Sequence, residues 1–112
     1  RFIDKVNGAK EDVLTDGVQT FPDRTDRVYL NPEACSVIHD GALNRAIEVI
    51  HHHHYNVVGW NPGPALSASM ADMPDDGYKT FVCVESACAT QAQKTTEEKP
   101  SRLAQTIKIV KR

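Results

Sequence analysis

The chain has 112 residues, 40% apolar and 25% charged, enough for one globular domain or a piece of a larger one and too apolar for a disordered segment. Thirteen Lys and Arg against 15 Asp and Glu leave a net charge of -2, without the basic surplus that gripping a nucleic-acid backbone calls for. No apolar stretch is long enough to span a bilayer, and no basic-then-apolar leader opens the sequence. An opening Arg1 in place of Met leads to the expectation that the natural chain starts further upstream.

In chain order, strands are expected at Phe2–Val6, Asp26–Leu30, Cys35–His39, Ala46–His52, Asn56–Trp60, Tyr78–Ala87 and Gln105–Val110. Each is a short run rich in Val, Ile, Tyr, Phe or Thr, set between turn signals such as Asn7-Gly8, Asp40-Gly41, Asn61-Pro62-Gly63-Pro64 and Pro74-Asp75-Asp76-Gly77. Lys10 to Thr25 is charged and short of apolar anchors, so no strand is expected there and the core looks incomplete. One short helix is expected over Ala65–Met73, where Leu66, Met70 and Met73 recur at helical spacing. Gln91 to Pro100 is the most polar stretch and reads as a hairpin loop between the last two strands. Short strands with turns at this spacing predict an all-β sandwich or barrel, not a βαβ fold.

The three cysteines, Cys35, Cys83 and Cys88, fit neither a disulfide framework nor a zinc knuckle. They read as small, mostly buried thiols in a reducing compartment, which points to the cytoplasm. His51-His52-His53-His54 would alternate faces on a strand, pairing His51 with His53 and His52 with His54. No acidic residue or cysteine stands at a third-ligand spacing, so a polar strand end is the plainer reading and no metal is assigned.

Glu85 is the residue of most chemical interest. Alternation places Phe81, Cys83, Glu85 and Ala87 on one strand face, in a segment apolar on both sides that reads as interior. A carboxylate buried there would have its pKa raised and could serve as a general base; on an emerging strand it would simply be solvated. Asp26 could accept hydrogen bonds from a polyol, or it could satisfy loop amides at a strand start. Trp60 beside a rigid turn could line a sugar site or fill the core.

Four segments, Asp26-Arg27-Val28-Tyr29-Leu30, Val57-Val58-Gly59-Trp60-Asn61-Pro62-Gly63-Pro64, Met73-Pro74-Asp75-Asp76-Gly77-Tyr78-Lys79 and Phe81-Val82-Cys83-Val84-Glu85, occur in the order seen in one known family. Together with Phe2-Ile3-Asp4-Lys5-Val6, they resemble the C-terminal part of the hexose-6-phosphate mutarotases (glucose-6-phosphate 1-epimerases) of the aldose 1-epimerase superfamily. The resemblance implies an antiparallel β-sandwich of the galactose mutarotase-like supersandwich type, with this chain as the C-terminal part of one domain over residues 1–112. It also implies a cofactor-free isomerase that interconverts the α and β anomers of an aldohexose 6-phosphate by ring opening and reclosure. By position in the family motifs, Glu85 is the candidate base and Asp26 the candidate sugar-binding carboxylate. The family's catalytic histidine and most of its phosphate-binding arginines belong to the part upstream of Arg1. On its own, then, the chain is expected to be inactive and prone to aggregate. The expected partner is a small sugar phosphate, with no nucleic acid and no membrane, and the complete protein is expected to be a monomer. The competing reading is a non-catalytic sugar- or protein-binding β-sandwich module.

Overall fold

The computed structural model describes residues 1–15 and 17–111. Among these, the strands are β1 (Phe2–Asp4), β2 (Lys10–Asp12), β3 (Thr25–Leu30), β4 (Cys35–Asp40), β5 (Arg45–His52), β6 (Asn56–Asn61), β7 (Cys83–Ala87) and β8 (Ala104–Lys111). A single helix, α1 (Gly63–Ser69), and a 3₁₀ turn at Gly77–Lys79 lie between β6 and β7. The strands form a five-stranded sheet in the order β2-β1-β3-β6-β7 and a three-stranded sheet in the order β4-β5-β8. The pairs β1–β2, β1–β3, β4–β5 and β5–β8 are antiparallel. The chain divides into two compact units, Arg1–Leu30 with Val57–Glu85 and Asn31–Asn56 with Ser86–Arg112.

In the first unit, β1 and β2 form a hairpin with Asp4 opposite Lys10. The Asp4 carboxylate closes its turn by accepting from the amides of Val6 at 3.1 Å and Asn7 at 3.2 Å. β2 was not expected, because its three residues are all exposed and carry no apolar pattern. Backbone pairing alone makes it a strand. Phe2, Val28, Val57 and Pro62 are buried apolar side chains of this unit. Phe2 packs its ring on Tyr29 at 5.4 Å, and the Arg27 guanidinium lies over Phe2 at 4.2 Å.

The expected strand Tyr78–Ala87 is shorter, beginning at Cys83. The turn at Pro74–Gly77 runs on into the 3₁₀ segment, with the Lys79 amide bonded to the Asp76 carbonyl and the Thr80 amide to the Gly77 carbonyl. α1 likewise starts earlier than expected and ends before Met70, which is extended at φ -86° and ψ 121°. Pro64 in its first turn has the φ a helix start needs, so the Pro-Gly-Pro segment opens the helix instead of preceding it.

In the second unit, β5 is the central strand, pairing Cys35 to Asp40 of β4 on one side and β8 on the other. Ala46 and Val49 are its buried apolar side chains. β8 is exposed along its length, with Ile107 at 61% and Ile109 at 63%. The stretch from Gln91 to Pro100 is not a hairpin loop. β7 belongs to the five-stranded sheet, while β8 pairs with β5, so the loop joins strands of two different sheets. Nor are the three free thiols buried: Cys35 is exposed at the start of β4, and Cys83 and Cys88 are half-buried. Among the described residues, no helix is long and apolar enough to cross a membrane.

Candidate functional site

Strand parity assembles one face of the five-stranded sheet. Phe2 is opposite Tyr29 and Ile3 opposite Val28, so Arg27 and Tyr29 point to one side, and Asp26 and Val28 to the other. A Cβ built on Gly59 would meet the Tyr29 ring at 3.7 Å, which puts Gly59 on the Tyr29 side. The next residue, Trp60, therefore shares the Asp26 side. The Phe81 ring lies against Trp60 with centroids 6.1 Å apart, and Phe81 leads directly into β7, on which Cys83 and Glu85 share a face. β6 separates β3 from β7, so the strands that carry Asp26 and Glu85 are two spacings apart, roughly 10 Å. Strands so spaced leave room for a hexose whose hydroxyls are hydrogen-bonded at both ends.

Asp26 is half-buried and Glu85 exposed. The interior strand expected around Glu85 is instead the edge of the described sheet, so burial, the premise of the desolvation argument, is absent there. Among the described residues, neither carboxylate accepts a hydrogen bond or joins an ion pair. Cys83 registers the neighbouring charge: burial holds its thiol above the usual range, and the Glu85 carboxylate pushes it higher.

The loop before Asp26 is fixed by two close approaches. Asp23 accepts from the Arg24 amide at 2.7 Å, and its carbonyl accepts from the Thr25 hydroxyl at 2.9 Å. Gly63, at φ +71°, passes so close that a Cβ there would sit 2.4 Å from the Arg24 nitrogen. Asn61 is buried and anchors the same turn. Its amide donates to the carbonyls of Tyr78 at 3.0 Å and Phe81 at 2.8 Å, and its side-chain oxygen accepts from the Gly63 amide at 3.0 Å. One asparagine thus ties the Trp60 turn to the segment that enters β7. The sequence marks Asn61-Pro62-Gly63-Pro64 as a turn, but the partners of Asn61 are too distant along the chain for any local pattern to reveal them.

Two arginines are engaged elsewhere. Arg27 lies over Phe2 and donates to Gln19 at 2.7 Å, and Arg45 pairs with Asp40 at 2.9 Å.

The histidines lie in the second unit. β5 ends at His52 and His53 turns at φ +60°, so alternation fails and His51 packs against His54, at 5.1 Å between rings, instead of pairing with His53. His51 is buried and hydrogen-bonded to the hydroxyls of Ser36, at 2.8 Å, and Ser86. Burial lowers its pKa, and the neighbouring His54 and His52 lower it further. Among the described residues, no group of three or more His, Cys, Asp or Glu is placed to hold a metal.

Comparison with known proteins places this geometry in context. The family described as aldose 1-epimerase matches residues 2–106. A protein of Salmonella typhimurium named "Putative glucose-6-phosphate 1-epimerase" is 81% identical over 112 residues, and one of the same name from Escherichia coli is 76% identical. Each alignment takes in 100% of this chain and 38% of the relative, so the chain spans about two-fifths of their length. A crystal structure of a "putative mutarotase" from Salmonella typhimurium superposes with a TM-score of 0.97 at 81% identity, again over 38% of that chain. The expected antiparallel β-sandwich class is borne out by this match, and with the family matched over nearly its whole length the chain belongs to the aldose 1-epimerase family.

Proposed function

We propose that the chain is the C-terminal part of a single-domain hexose-phosphate mutarotase that interconverts the α and β anomers of glucose 6-phosphate. The observation that carries this reading is the pair of carboxylates, Asp26 and Glu85, that have no partner among the described residues and stand on β3 and β7 of the sheet that also bears Trp60. The names of the two relatives support the substrate. In this mechanism Glu85 removes the proton from the C1 hydroxyl, and the C1–ring oxygen bond breaks as a general acid protonates the ring oxygen. Rotation about C1–C2 and reclosure give the other anomer. Asp26 accepts hydrogen bonds from ring hydroxyls and holds C1 toward Glu85. No cofactor takes part. The setting is cytoplasmic, in keeping with three free thiols, and the complete protein acts as a monomer on a small sugar phosphate.

The unit that contains Glu85 has no histidine in its sequence. The family resemblance assigns the acid to a histidine upstream of Arg1, and a base without its acid partner forgoes roughly 10²–10⁴ in rate. The 112-residue chain alone is accordingly a very poor catalyst.

The test is anomer exchange on glucose 6-phosphate, followed by saturation-transfer NMR. It compares the chain, the chain joined to the remainder of the Salmonella relative, and the joined protein carrying Glu85→Gln. Fast exchange by the joined protein, lowered at least ~10³-fold by Glu85→Gln, is the expected result. A well-folded joined protein without activity would make Glu85 a structural carboxylate and give the lead to a sugar-binding module.

A further inference from the structure

The second unit carries a groove that the carboxylate face does not involve. Its volume is about 500 Å³, within the range of small-molecule sites, roughly 300–1,000 Å³. Its lining includes His53 and Tyr55, from the turn after β5, and Lys94, Lys99, Ser101 and Arg102, from the loop before β8. No Asp or Glu lines it. Among the described residues, no ion pair reaches Lys94, Lys99 or Arg102. Glu97 and Glu98 belong to the same loop but lie outside the lining.

The groove is a built feature of the loop. The Thr96 amide donates to the Lys99 carbonyl at 3.1 Å, and the Lys99 amide donates to the Thr96 hydroxyl at 3.0 Å, closing the tip. The Ser101 hydroxyl donates to the Gln93 side chain, tying the two limbs together. In the lining, His53 takes a backbone conformation of φ +60°, which a residue with a Cβ adopts only at a cost. Three cations that line one groove without a counter-charge in its lining repel one another, and a bound anion relieves that repulsion. The Tyr55 hydroxyl and the His53 ring offer further donors beside the charges.

We propose that this groove binds a compact multivalent anion of the phosphate class. Lys94, Lys99 and Arg102 supply the charge, and Tyr55 and His53 supply directional hydrogen bonds. The inference is independent of the mutarotase reading, because every residue it uses lies outside the unit that holds Asp26 and Glu85.

The experiment titrates inorganic pyrophosphate, at constant ionic strength, into the joined protein with isotope label in these 112 residues, and follows amide shifts. Saturable shifts confined to residues 53–55 and 92–102 are expected. The double variant Lys94→Glu/Arg102→Glu should weaken binding by roughly tenfold or more, with Lys10→Glu, on β2 of the other unit, without effect. Lys99→Gln, which removes one charge and keeps the backbone turn, should weaken binding by a smaller factor. Shifts that do not saturate, or that appear equally around Lys5, Lys10 and Lys79, would overturn the proposal, as would wild-type affinity in a folded double variant.

Discussion

Cys83 and Glu85 stand two residues apart on β7, and the thiol is held protonated first by burial and then by the Glu85 charge. Thiol alkylation near pH 8 should therefore be slower at Cys83 than at exposed Cys35. Glu85→Gln should speed Cys83 alkylation without changing Cys35. An unchanged Cys83 rate would mean that the carboxylate points away from the thiol and off the proposed site. His51 makes a second prediction at this scale. Its folded pKa lies below the unfolded value of about 6.5. The stability conferred by the neutral ring is therefore fully present above that value, and it is lost as the pH falls from there toward the folded pKa. Melting of the second unit should occur at lower temperature at pH 5 than at pH 7.5, and His51→Gln should flatten this slope. Equal slopes for the two proteins would remove His51 as the cause.

At the scale of elements, the turn Asn61–Gly63 is where local chemistry and the proposed site meet. Gly63→Ala would place a Cβ against the Arg24 backbone and force a side chain into positive φ. We expect a loss of about 1–3 kcal/mol in denaturant unfolding of the joined protein, together with a raised KM, since the displaced segment leads into Asp26. A neutral substitution would show that the loop yields cheaply. Most of the strands here were legible in the sequence. β3, β4, β5, β6 and β8 fall within a residue of their expected bounds because each is a β-branched or aromatic run between turn residues. The misreadings share a physical cause. β2 has no apolar face to read, and its pairing is set by the hairpin with β1. Residues 78–82 have strand-like composition, yet Asn61 takes the Tyr78 and Phe81 carbonyls. The chemical identities of Asp26 and Glu85 were legible through family motifs, whereas the exposure of Glu85 depends on strand order, which no local pattern encodes.

Across the whole molecule, burial is sparse relative to exposed apolar surface. Phe2, Val28, Ala46, Val49 and Val57 are buried, whereas Val37, Leu103, Ile107, Ile109 and Val110 are each more than two-fifths exposed. Ile107 and Ile109 share a sheet face with their partners Val49 and Ile47, forming an apolar strip along a strand that has one free edge. The isolated chain should self-associate at micromolar concentration in sedimentation velocity, and Ile107→Lys with Ile109→Lys should shift it toward monomer. A sharp, concentration-independent two-state melt from a monomer would contradict this. The registry of β8 also governs the order of assembly. Arg45 pairs with Lys111 and His52 with Ala104, so every rung of this ladder closes a long loop, while β1–β2 closes within a few residues. Ring closure of that length is entropically slow. Refolding should therefore protect the β1–β2 amides early and those of β8 last, leaving β5 for a time with one partner strand and an open edge facing solvent.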